Sequence, residues 1–126
     1  MKGAIVLVIA VALASTAAAS DAVDQVDLGY PSVAAAMAGL RAKPDVKSSV
    51  QSGWLVFEDG DARAVWSFPP SGHPAYPTAI RRRVAQDGSD IFIEMGVRCE
   101  AAKPACDAVV AEFERLNGSL RQQLKR

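Results

Sequence analysis

The fold turns on residues 90–116, DIFIEMGVRCEAAKPACDAVVAEFERL. Ile91, Ile93, Met95, Val97 and Cys99 alternate with Phe92, Glu94, Gly96 and Arg98, the period of two that a β-strand imposes. After Pro104 the spacing changes. Cys106, Val109, Val110, Phe113, Leu116 and Leu120 recur every three or four residues, the stripe of a helix. A strand that hands over directly to a helix must pack the two apolar sets against one core. Each set carries a cysteine inward, so Cys99 and Cys106 are expected to meet at the seam as a structural disulfide.

Working outward, residues 31–42, PSVAAAMAGLRA, put Val33, Ala36, Met37 and Leu40 on one face of a short helix. Pro31 suits its first turn, and Pro44 stops it. Gly39 weakens it by about 1 kcal/mol relative to alanine, so docking must stabilise it. Between the two helices the chain reads as strands divided by turns. Asp59-Gly60 and Asp87-Gly88 are dipeptides that favour tight hairpins. Ser52-Gly53 reads either as a turn between strands or as a bulge within one. The predicted class is α+β: an antiparallel sheet of four to five strands flanked by an N-terminal helix and a longer C-terminal helix.

The N-terminus reads as an address. Lys2 provides a positive start, residues 3–14 (GAIVLVIAVALA) an apolar core, and Ala17-Ala18-Ala19 a small-x-small cleavage site. The apolar run is shorter than the roughly 20 residues of a membrane helix. Residues 1–19 are therefore read as a signal peptide, and residues 20–126 as a single small domain that is not membrane-embedded after cleavage. Cleavage leaves 107 of the 126 residues and removes only Lys2 from 14 basic and 14 acidic side chains, so the net charge is −1. That balance exerts no general pull on nucleic acid. Aspartates 21, 24 and 27 crowd one end, and Arg121, Lys125 and Arg126 the other. The expected location is periplasmic or secreted, where a cysteine pair is oxidised.

Specific chemistry is sparse. C-E-A-A-K-P-A-C is not a C-x-x-C redox or zinc motif, and one histidine is too few for a Cys/His metal site, so neither metal nor cofactor is expected. Ser71 and His73 lack a visible acid and oxyanion hole. Glu58, Asp59 and Asp61 gather at a hairpin tip, where solvated turn chemistry explains them better than glycosidase chemistry does. No catalytic residue is assigned, and the reading is non-enzymatic.

The remaining feature is residues 69–77, PPSGHPAYP, a connector whose prolines stiffen the backbone. A stiff loop presents Ser71, His73 and Tyr76 with little entropy lost on binding. The following strand places Arg81 and Arg83 on one face and Ile80, Arg82 and Val84 on the other. Arg82 should reach a carboxylate at the sheet margin or extend its head group to water. Ser71, His73, Tyr76, Arg81 and Arg83 are thus the candidate binding residues, for an envelope protein or an anionic envelope component. The alternative class is a structural or stress-related envelope protein without a specific ligand. Asn117-Gly118-Ser119 matches a glycosylation sequon within a predicted helix.

The segments SVAAAMAGLRAKPDV, GW (53–54), WSFPPSGHPAYP and CEAAKPACDAVVAEFERLN resemble a group of small exported bacterial proteins of unknown function. The resemblance implies secretion and a shared fold, with no activity. Ser71, Gly72 and Tyr76 are also similar to a short loop motif of some periplasmic lysozyme inhibitors, which implies inhibitor-like use of that loop.

Overall fold

The computed structural model describes residues 28–125, together with Gly3. Residues 1–19, read above as a signal peptide, fall outside the described residues, Gly3 apart, as do the acidic cluster at 21–27 and Arg126. The elements are α1 (Val33–Ala42), β1 (Val46–Gln51), β2 (Trp54–Asp59), β3 (Ala64–Phe68), β4 (Thr78–Asp87), β5 (Asp90–Cys99) and α2 (Lys103–Leu124). The five strands form one antiparallel meander in the order β1-β2-β3-β4-β5. This is the α+β arrangement expected.

Register divides the sheet into two faces. Ser48, Phe57, Trp66, Arg81 and Gly96 form one row across it, and Ser49, Val56, Ser67, Ile80 and Val97 the next row on the opposite face. The helices take opposite faces. Val33, Ala36 and Leu40 of α1 bury against Phe57, Trp66, Phe68 and Ala79. Val109 and Phe113 of α2 bury against Ile80, Val97 and Ala75. The sheet is therefore the middle of three layers, and adjacent residues such as Ala79 and Ile80 serve different cores.

Turn chemistry decides one open reading and differs from the expectation at two other places. Ser52 and Gly53 both have positive φ, 50° and 83°, so they form a two-residue hairpin turn of the primed type and not a bulge. Asp59 pairs with Ala64, which makes the next connection four residues long, and its left-handed residue is Arg63 (φ 51°), not Gly60. Asp87 pairs with Asp90, so the last hairpin turns on Gly88-Ser89, one residue later than the Asp-Gly dipeptide suggests.

The helix ends follow local hydrogen bonding. Ser32 caps α1 through its side chain, which accepts from the Ala35 N–H at 3.0 Å, and Pro31 lies outside the helix instead of in its first turn. Pro104 does sit in the first turn of α2. The Cys99–Cys106 bridge forms where β5 passes into α2, with the Cα atoms 5.8 Å apart. Only the Cys99 end of β5 lies under the helix. Ile91 and Ile93, expected in the core, are half-buried, and Leu116 and Leu120 are exposed.

Candidate functional site

The connection between β3 and β4 is built as two successive turns, His73 N–H to the Pro70 carbonyl (2.9 Å) and Tyr76 N–H to the His73 carbonyl (3.0 Å). The Tyr76-Pro77 peptide is cis. Ala75 is fully buried in the α2-side core, and Thr78, also fully buried, donates through Oγ1 to the Ala75 carbonyl and lies 3.0 Å from Cys99 Sγ. The loop is thus pinned from within by its smallest apolar side chain. Tyr76, flanked by these anchors, is left 48 % exposed.

The candidate residues separate. His73 is half-buried, its ring edge-on to Trp54 at 5.2 Å, and its Nδ1 accepts from the Ala75 N–H at 3.0 Å. That nitrogen serves the loop backbone, and no hydrogen bond joins Ser71 to His73 among the described residues. Arg81 lies over Trp66, 5.9 Å from the ring centroid, on the α1 face. Arg83 pairs with Glu94 across the hairpin at 2.9 Å. The two arginines share a face, as the alternation requires, but one is stacked and the other neutralised.

Arg82 makes no ion pair with a carboxylate among the described residues, and it is only partly exposed. Its guanidinium lies 4.9 Å from the Phe113 ring centroid beneath α2, and Nη1 donates to Asn117 Oδ1 at 3.4 Å. Its Nε is buried without a partner, and burial lowers its pKa. Asn117 also donates to Met95 Sδ, so the sequon asparagine is part of the helix–sheet contact.

Tyr76 meets residues that the loop reading left out. With Met37 of α1, Phe68, Pro69, Pro77 and Glu100 it lines a cleft of about 210 Å³ between the loop and the N-terminal half of α1. Its walls are mostly apolar, with Thr78 and the Glu100 carboxylate among them. That carboxylate accepts from the Val33 N–H and from Arg98 Nε, both at 3.2 Å, which fixes it at the positive end of α1. Ser71 is not among the lining residues. Glu100 gave no sequence signal, because its role depends on a contact with Val33, 67 residues away.

A second cluster overturns a reading made above. Asp59 is not a solvated tip residue but is 5 % exposed. Its carboxylate accepts from Lys43 Nζ at 3.0 Å and from the Ala62 N–H at 3.3 Å. The lysine bond holds the Asp59 carboxyl below its ordinary pKa, and the same bond raises Lys43. Among the described residues no group of histidine, cysteine, aspartate and glutamate could hold a metal ion, and no helix is long and apolar enough to cross a membrane. Compared with known proteins, the chain matches no family model, no curated protein and no solved structure.

Proposed function

We propose that this chain is an exported, non-enzymatic binding module that takes an apolar side chain of an envelope protein into the cleft between α1 and the proline-rich loop. The disulfide accords with an oxidising compartment. The cleft itself carries the reading: a preformed apolar concavity with one fixed carboxylate and a half-exposed tyrosine at its wall. Sites of this kind bind through apolar contact and take their orientation from few polar groups. Glu100, whose Oε2 is already held by Arg98 and the Val33 N–H, favours a partner that presents an N–H donor beside the apolar group. An anionic component is disfavoured, since Arg83 is already paired and Arg81 is stacked.

Capture from a native envelope fraction tests this, with wild type compared against Tyr76→Ala and Arg83→Ala. The expected result is one recovered protein, lost with Tyr76→Ala at unchanged thermal stability and kept with Arg83→Ala. Capture indifferent to Tyr76 would overturn the cleft as the site. The absence of any capture would favour a structural envelope role.

A further inference from the structure

The β1 edge of the sheet is open. Among the described residues nothing pairs with the outer side of β1, and all of the strand but Val46 is exposed, Val50 at 71 %. Edge strands are commonly blunted by a proline, a bulge or charged side chains. β1 has no proline, pairs with β2 residue for residue, and carries one charge, Lys47, which lies across from Glu58. At the opposite edge α2 packs against β5.

The hairpin fixes which backbone groups point outward. Gln51 and Trp54 close a two-residue turn and therefore exchange hydrogen bonds, so Ser49 and Lys47, at the same phase, also bond to β2. Val46, Ser48 and Val50 turn their N–H and C=O groups away from the sheet. In keeping with that phase, the Val46 N–H is already bonded to the Lys43 carbonyl at 3.4 Å. Pro44 and the Ser52-Gly53 turn bound the edge on either side. An outer edge that reads V-x-S-x-V is its own complement. Only an antiparallel register centred on Ser48 engages all three outward residues. There Ser48 exchanges bonds with Ser48 of a second copy, and each Val50 N–H reaches the Val46 carbonyl of the other. The same register lays Val50 beside Val46, which borders the α1-side core, and sets Lys47 opposite Ser49. We propose that β1 joins β1 of a second copy about a two-fold axis at Ser48, making one continuous sheet of the two. This interface shares no residue with the cleft and does not depend on it.

Sedimentation velocity on the purified protein over a concentration series reads the result, and a dimer is expected. Ser48→Pro removes an outward N–H and no bond between β1 and β2. It should therefore raise the dimer dissociation constant by about tenfold or more at unchanged circular dichroism. Ser49→Lys, set against Lys47 of the second copy, should raise the constant by about threefold or more, and Ser49→Glu should lower it by as much. Ser49 is exposed, so its variants remain informative if Ser48→Pro unfolds. A dimer unmoved by a folded Ser48→Pro overturns the β1 interface, and one in which the two Ser49 variants act alike overturns the register. A monomer at every concentration overturns the proposal. In that monomer, slow hydrogen exchange at Ser48 and Val50 would give the edge to the chain's own residues 20–27, and fast exchange would leave it to a strand of another protein.

Discussion

Lys43 and Asp59 make the pH dependence of this domain calculable in sign. The folded carboxyl of Asp59 lies below its ordinary 3.8, first because of the hydrogen bond from Lys43, with the Ala62 N–H adding to it against desolvation. Its stabilisation is therefore fully present above pH 3.8 and is lost as the pH falls through the depressed folded value. Lys43, raised above 10.5, loses its share only as the pH rises beyond that. Thermal melts should show an acid limb that flattens in Asp59→Asn, a change expected to cost about 1–2 kcal/mol near neutral pH through weakened hydrogen bonds. An unaltered limb would mean that other carboxyls set it. Gly39 offers a test of opposing terms. Alanine there gains about 1 kcal/mol of helix propensity, yet its Cβ would collide with the Tyr30 ring, which is itself packed edge-on to Trp66. Overpacking of this kind costs typically about 1–3 kcal/mol, so Gly39→Ala should lower the melting temperature, and a rise would show that Tyr30 yields freely. Arg82→Met runs the other way. The arginine is partly desolvated, has no carboxylate partner among the described residues and leaves Nε unpaired, so an apolar isostere should be neutral or stabilising on chemical denaturation.

At the scale of elements, the alternation in β5 and the stripe in α2 were legible because each obeys a single local period. So was the disulfide, since both cysteines lay on inward positions of adjoining elements. The turns were not. An Asp-Gly pair favours positive φ in a short hairpin, but here Asp59 is claimed by Lys43 and the turn lengthens, with Arg63 taking the left-handed position. The opposite placement of α1 and α2 was equally hidden, because an alternation names two faces without saying which helix covers which. For the same reason Tyr76 could be singled out while Met37 and Glu100, its companions in the cleft, could not. The loop's anchor is another long-range effect. Ala75 reads as a small spacer in PPSGHPAYP, yet it is fully buried with Val109 and Phe113. Reduction of Cys99–Cys106 should lower stability by about 2–3 kcal/mol in the chain-entropy account of so short a loop. Thr78→Val should cost about 1 kcal/mol or more by leaving the Ala75 carbonyl unpaired, with both losses read from denaturant midpoints. If Thr78→Val were silent, Ala75 alone would hold the loop.

For the whole molecule the question is whether two cores on opposite faces of one sheet unfold together. The chain has a tryptophan in each. Trp66 packs with Tyr30 and Phe68 on the α1 side, and Trp54 with His73 and Phe113 on the α2 side. Neither face has an independent means of persisting. The ten residues of α1 are fewer than the roughly 12–15 at which isolated helices become even marginal, so α1 exists only while docked. Its departure would bare Phe57, Trp66 and Phe68, side chains whose burial stabilises by about 1.5–3 kcal/mol each. The same strands carry the other core, since Ile80 pairs with Val97 one register step from the row of Trp66 and Arg81. Loss of one face should therefore remove the other. Trp54→Phe and Trp66→Phe each leave a single reporter, and in each variant the urea transition by tryptophan fluorescence should coincide with that by far-ultraviolet circular dichroism. If fluorescence of Trp66 in the Trp54→Phe variant moved ahead of the circular dichroism, α1 would melt from a surviving sheet, and the three layers would not form one cooperative unit.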